Sequence, residues 1–357
     1  MDTFIYNFLI SFPTIILFFV IAAMLYILSE GADMLVDQAV DLSLHLGIPK
    51  IVIGATIVSL GTTLPEASVS VLAAINGNPD LALGNAVGSV IANTGLVIGV
   101  AALIGALPVS QFIVRRQGKI KFLSGLLLVV VSLPIISGSN IAQWVGWVFV
   151  GLLIIYLYTS MKWTQNASTE QAAAAGIPAE DITVHSDVTE NDASHGVNTS
   201  EDKINIIVKL LKLFFGIFLV IGASKVLIPS VEISATRIGI PQSIIAATLV
   251  AFGTSLPELI TAVTAVRKGH GELAVGNVVG ADILNVLFVV GSAAAVTPGG
   301  LDVPTYFYKL QFPTMIIILA IFRLFSLGKS DEEITKKEGL ILLSIYVIYL
   351  VLNYTWV

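Results

Sequence analysis

The sequence predicts an all-α polytopic membrane protein, with ten transmembrane helices arranged as two inverted five-helix repeats and interrupted helices at the centre. Three observations predict it. Of 357 residues, 56% are hydrophobic and 12% are charged, against roughly 25% charged in soluble domains. Apolar runs recur along almost the whole chain at the length of about 20 residues that crosses a hydrocarbon core. A hexapeptide that suits no ordinary membrane helix, Gly61-Thr62-Thr63-Leu64-Pro65-Glu66, returns as Gly253-Thr254-Ser255-Leu256-Pro257-Glu258, 192 positions later (253 − 61).

The spans follow in order. The first runs from Ile5 to Ser29 and continues through the polar stretch Glu30 to Asp41. The second lies between Pro49 and Ile75, where Asn76-Gly77-Asn78-Pro79 breaks the helix. The third lies between Leu81 and Leu107, the fourth over Phe122–Ile136 and the fifth over Ile141–Met161. Residues 163–203 form a polar linker rich in Ala, Ser, Thr, Asn and acids, without apolar periodicity, and read as loop or disorder. Spans six to ten lie over Ile204–Ile228, Pro241–Val266, Leu273–Val296, Tyr306–Phe325 and Gly339–Val351. The chain thus divides into a first repeat, 1–162, the linker, 163–203, and a second repeat, 204–357.

Charge sets the orientation. Arg115, Arg116, Lys119 and Lys121 fall between spans three and four, Arg267 and Lys268 between seven and eight, and Lys329, Lys336 and Lys337 between nine and ten. Alternation places these loops on the same side as the linker, so the positive-inside rule puts the linker in the cytoplasm and both termini outside. The net charge of −6 says little about partners, because much of the acid lies in the linker. The start, Met1 to Asn7, carries Asp2 and no Lys or Arg, and does not read as a cleaved signal peptide. There is no cysteine, which excludes disulfides and thiolate chemistry.

The repeat extends beyond the hexapeptide. At the same offset Leu46-Gly47-Ile48-Pro49 pairs with Ile238-Gly239-Ile240-Pro241, Gly84-Asn85-Ala86-Val87-Gly88 with Gly276-Asn277-Val278-Val279-Gly280, and Asn93 with Asn285. Each copy holds five spans. An odd number makes the second copy enter the membrane from the opposite side. Inverted repeats with interrupted helices build many secondary transporters, with the ion or substrate site where the repeats meet.

The hexapeptide supplies oxygen. Pro65 has no N–H, which frees the Gly61 carbonyl. That carbonyl, the hydroxyls of Thr62 and Thr63 and the Glu66 carboxylate lie within about one turn. Gly253, Thr254, Ser255, Pro257 and Glu258 repeat the set. Such hard ligands suit Na⁺ or Ca²⁺. Two facing carboxylates repel unless a divalent ion or several monovalent ions neutralise them. A kink and a structurally paired acid would also account for one copy, but intramembrane acids are functional by default and these occur twice. Ser89 and Asn93 share a helix face, and their counterparts in the second repeat are Ala281 and Asn285. The two Asn amides either ligate a cation or hydrogen-bond between helices. The Gly84/Gly88 and Gly276/Gly280 pairs read as close helix packing. Asp282 has no acidic counterpart, since Val90 stands in its place. It can be a third carboxylate at the site, a proton carrier, or a rim acid bonded to a neighbour. Asp80 and Glu272 read as helix-start acids, and Glu30, Asp33, Asp37 and Asp41 as a solvated acidic face. His185 and His195 sit in the linker and suggest no metal site. No zinc-protease motif, phosphate loop or nucleic-acid surface is present. No segment signals an obligatory protein partner.

These residues resemble the paired alpha repeats of the calcium/cation antiporter superfamily, and within it the prokaryotic sodium/calcium exchangers. The resemblance covers about Thr56–Gly99 and Thr248–Gly291 by motif, and the whole chain by its ten-span layout. It implies Na⁺/Ca²⁺ antiport by alternating access in the bilayer, with no cofactor and no enzymatic activity. It also implies that Glu66 and Glu258 are the principal calcium ligands. Further ion contacts would come from Thr62, Thr63, Ser89, Asn93, Thr254, Ser255 and Asn285, and from backbone oxygens near Ser59 and Ala251, while spans one and six slide over the rest. Two departures stand out. Ala281 replaces a common Ser, and Asp282 replaces a common Asn. The alternatives are an H⁺/Ca²⁺ or other divalent-cation antiporter of the same fold, an ion channel, and an intramembrane enzyme, for which no nucleophile–base set appears.

Overall fold

The computed structural model describes residues 3–46, 48–109, 111–174, 199–239, 255–327 and 333–356. A short helix, α1 (Thr3–Ile10), precedes a break at Ser11–Pro13. Then come α2 (Thr14–Leu46), α3 (Lys50–Ile75), α4 (Pro79–Ile104), α5 (Gln111–Ser132), α6 (Gln143–Ala174) and α7 (Thr199–Arg237). The second half continues with α8 (Leu256–Arg267), α9 (Gly271–Val296), α10 (Phe307–Phe325) and α11 (Lys336–Trp356). Seven of these are long and apolar enough to cross a membrane, by length and composition among the described residues. Of the other four, α1 is short, and α5, α8 and α11 stand where spans four, seven and ten are expected.

Several boundaries differ from the sequence reading, each for a local reason. Pro13 cannot donate the backbone hydrogen bond that a continuous first span would need, so α1 is separate. Arg237, at the end of α7, donates to the freed carbonyls of Ile10 and Phe12 at 2.6 Å each. Helix α5 begins eleven residues before Phe122, which moves Lys121 from a loop into mid-helix. Helices α6 and α7 carry on into the polar linker as far as Ala174 and back to Thr199. The rest of the linker, including His185 and His195, lies outside the described residues.

The packing places α3, α4, α8 and α9 at the centre. Glycines let α3 and α9 touch. A Cβ on Gly276 would sit 2.1 Å from the Ile51 carbonyl oxygen, and one on Gly280 would sit 2.4 Å from that of Ala55. The small-residue reading therefore holds for this pair. Gly84 and Gly88 have open space or ordinary contact among the described residues. The repeat partners of Ile51 and Ala55 are positions 243 and 247, which are not described. Helices α2 and α7 pack along each other outside this core, crossing where Gly31 and Gly216 meet.

Two-residue bridges tie the loops. Leu107–Pro108 (β1) pairs with Glu333–Ile334 (β4), and Asn140–Ile141 (β2) with Leu301–Asp302 (β3), both antiparallel. The first bridge holds the loops before α5 and α11 at one end of the molecule, as alternation requires. Lys268 pairs with Asp33 at 3.0 Å and Asp37 at 2.8 Å. It therefore brings the loop before α9 to the polar end of α2, and part of the acidic stripe is paired rather than simply solvated. Burial disfavours the Lys268 charge, but hydrogen bonds to Asp37 and Asp33 outweigh it and raise the pKa. Glu272 pairs with Lys50 at 3.4 Å, and Asn78, not Asp80, caps α4 by accepting from Leu81 N.

Candidate ion-binding site

Glu66 and Glu258 are both 1% exposed, and they come from helices that enter the core from opposite repeats. They are near enough to interact electrostatically. The Thr62 hydroxyl, from the first repeat, lies in hydrogen-bonding reach of the Glu258 carboxylate from the second. The two hexapeptides therefore meet. Ser59, Thr62, Thr63, Ser89, Asn93, Ser255 and Asn285 are all buried. Thr254, Ala251 and Gly253 lie outside the described residues.

The backbone loosens in a different place from the one expected. Ser59–Ile75 is α-helical with Pro65 inside it, so Gly61 and its threonines do not unwind the chain. Gly61 instead admits a neighbour, because a Cβ there would lie 2.4 Å from Ile217 Cδ1 on α7. The wider turn is a π-helical segment one turn earlier, Gly54–Val58. Two further π segments begin at the paired amides, Asn93–Val97 and Asn285–Val290. Such bulges concentrate at functional sites, and here the repeat places them symmetrically. In the second repeat the described helix starts at Leu256, so Pro257 and Glu258 fall in its first turn.

The oxygens of this centre are conspicuously short of partners. Thr63 Oγ1, Glu66 Oε2, Asn93 Oδ1, Ser255 Oγ, Glu258 Oε2, Asp282 Oδ1 and Asn285 Oδ1 are all buried without a hydrogen-bond partner among the described residues. Buried polar atoms in proteins are normally satisfied, and a cluster of exceptions calls for an explanation. Hard oxygens from both repeats, three of them carboxylate, fit a calcium ion or several sodium ions as transported substrate.

Three residues with roles at this centre were not singled out from sequence. Asn85 Nδ2 donates to the Glu66 backbone carbonyl at 3.1 Å and to Ser70 Oγ at 3.0 Å, so α4 braces the helix that carries Glu66. Thr94 Oγ1 donates to Asp282 Oδ2 at 2.6 Å. Lys121 Nζ lies 2.9 Å from the same Oδ2 with both side chains 1% exposed, so Asp282 is a paired acid. Among the described residues no three acidic or histidine groups converge at metal-ligating distance. A helical spacing could have revealed Lys121. Gln117, Lys121, Ser124, Leu128 and Ser132 recur at steps of three and four, and all are buried. Removing the Asn85 brace with Asn85→Ala should raise the calcium KM about tenfold, from a loss of about 1–1.5 kcal/mol of hydrogen bonding, with expression unchanged. Calcium-concentration dependence of uptake measures it.

A family model described as "Sodium/calcium exchanger protein" matches residues 16–162 and again 208–355. The chain belongs to the sodium/calcium exchanger family. The double match falls on the two repeats. Members of this exchanger family are membrane transporters without a cofactor, and this chain is an integral membrane transporter of cations rather than an enzyme. It is 30% identical over 326 residues to the inner membrane protein YrbG of Escherichia coli, covering 91% of this chain and 92% of that protein. It is 29% identical over 353 residues to the sodium/calcium exchanger MaX1 of Methanosarcina acetivorans, covering 94% and 97%. The solved sodium-calcium exchanger NCX_Mj superposes with a TM-score of 0.75 at 24% identity, over 95% of this chain and 99% of that one. That likeness carries the fold.

Proposed function

We propose that this exchanger drives calcium across the membrane against a sodium gradient, by alternating access at the centre formed by the two hexapeptides. The supporting observation is the set of buried oxygens, unpartnered among the described residues, that both repeats bring together. Glu66 and Glu258 are the principal calcium ligands. Thr62, Thr63, Ser89, Asn93, Thr254, Ser255 and Asn285, with backbone oxygens near Ser59 and Ala251, complete the calcium and sodium positions. One pair of carboxylates cannot hold a full set of both ions at once, so the ions compete and their movements couple. Helices α2 and α7 form a unit outside the core. Sliding of that unit would expose the centre alternately to each side. The end carrying Arg116, Lys119, Lys268 and Lys336 faces the cytoplasm, with both termini outside. The name of the Methanosarcina acetivorans relative, a sodium/calcium exchanger, agrees with this reading.

Proteoliposomes loaded with Na⁺ and diluted into Na⁺-free buffer should take up ⁴⁵Ca²⁺. An imposed pH gradient alone should not drive uptake. Uptake driven only by the pH gradient would replace sodium with protons as the coupling ion. Flux indifferent to any countergradient would indicate a channel.

A further inference from the structure

We propose that Lys268, with Asp33 and Asp37, is a one-sided ionic latch between α2 and the core. It biases the exchanger toward the state in which the polar end of α2 is docked, and it opens in every transport cycle. The inference rests on the alternating-access reading above and adds a bias between its states.

Lys268 directly follows α8 and belongs to the core. Asp33 and Asp37 belong to α2, which packs along α7 outside the core. They stand four residues apart and share a helix face. Lys268 Nζ lies 3.0 Å from Asp33 Oδ1 and 2.8 Å from Asp37 Oδ1, and it donates to the Asp33 carbonyl at 3.4 Å. Three oxygens of α2 therefore grip one ammonium of the core. A tilt of α2, or an axial slide short of a full turn, parts both pairs, since an ion pair needs N and O within about 4 Å. Lys50 and Glu272, 3.4 Å apart, join α3 to α9 inside the core and do not part when α2 moves.

The repeat makes the latch one-sided. At the offset of 192, Lys268 corresponds to Asn76, Asp33 to Lys225 and Asp37 to Pro229. In alternating access one unit moves against the other around a fixed site. With inverted copies, the contact that docks α2 at one end has its mirror in α7 at the other. That mirror sets an amide against a lysine and a proline, and these make no ion pair. Docking is thus charged at one end and uncharged at the other, which favours one state over the other.

Exposure limits the size of the bias. The side chains of Lys268, Asp33 and Asp37 are 30%, 44% and 56% exposed. Solvent-screened pairs of this kind shift an equilibrium about threefold. A contact that must open in every cycle cannot be much stronger without slowing exchange.

The chain has no cysteine, so introduced thiols can be labelled alone. Spin labels on Leu44→Cys of α2 and Lys336→Cys of α11, both exposed, report the distance between α2 and the core by pulsed electron paramagnetic resonance of the full chain in lipid. The docked population should fall about threefold relative to the displaced one in Lys268→Gln. Asp41→Asn is the control. It removes the next carboxylate of the same stripe, which makes no pair with Lys268 among the described residues, and should leave the populations unchanged. Separately, Lys268→Cys with Asp37→Cys is bridged by a short reducible bis-methanethiosulfonate in proteoliposomes. ⁴⁵Ca²⁺ uptake should stop on bridging and return on reduction, whereas bridging Lys50→Cys with Glu272→Cys should leave uptake intact. Equal populations in Lys268→Gln and its parent overturn the latch. So does an Asp41→Asn shift of the same size, which would mean that the lysine follows the stripe as α2 slides. Uptake that persists across the Lys268–Asp37 bridge overturns it as well. Failure of the sodium reading would show differently, as uptake driven by a pH gradient alone, with the label distances and the bridge still reporting the latch.

Discussion

Glu66→Gln is expected to abolish calcium uptake, by at least about 100-fold, and Glu258→Gln likewise, while each protein still folds. The substitution keeps shape and one carbonyl oxygen and removes only the charge. In a water-excluded site that charge is worth several kcal/mol toward a divalent ion, because the effective dielectric is on the order of 20 rather than 80. Folding tolerates the change because Glu66 Oε2 and Glu258 Oε2 have no hydrogen-bond partner to lose among the described residues. Neutralising either acid removes like-charge repulsion between the two as well. Initial rates of ⁴⁵Ca²⁺ uptake, normalised to reconstituted protein, measure the effect. Near-normal uptake in both variants would remove these acids from the site.

Gly280→Val should prevent assembly of the core. Its Cβ would fall 2.4 Å from the Ala55 carbonyl oxygen and 2.5 Å from Ser59 Oγ. Backbone cannot yield there without separating α3 from α9, and with it the two repeats at their ion centre. The expected destabilisation is about 3 kcal/mol or more. Gly151→Ala on α6 is the control, since no described atom lies within 4 Å of its new Cβ. It should be neutral or slightly stabilising, as alanine favours helix. Thermal unfolding in detergent, followed by the fluorescence of the four tryptophans, separates the two. A Gly280→Val protein that melts like wild type would contradict the observed crossing.

Much of this architecture was legible in the chain. Span lengths follow from apolar runs. The offset of 192 exposes the repeat, and Pro–Glu within a span marks the site. What was not legible depends on tertiary placement. Lys121 adjoins loop charges in sequence, and a helix boundary set by hydropathy stops at the first lysine. Only packing of α5 against α9 gives that charge a buried partner. The π turns at Asn93 and Asn285 are likewise invisible to periodicity, since a single wide turn alters the helical repeat by one residue. Pro65 removes a backbone donor but does not interrupt the helix Ser59–Ile75, because a proline inside a packed helix can be carried by its neighbours. The accommodation occurs instead at Gly54–Val58, beside the tight crossing with α9.

The central claim is that calcium and sodium compete for one set of oxygens drawn from both repeats. Equilibrium ⁴⁵Ca²⁺ binding to the purified protein, titrated with Na⁺, tests it most directly. The expected result is one calcium per chain, displaced steeply by sodium with a Hill coefficient above 1, and lost in both Glu66→Gln and Glu258→Gln. Calcium binding that ignores sodium, or that survives both substitutions, would contradict it.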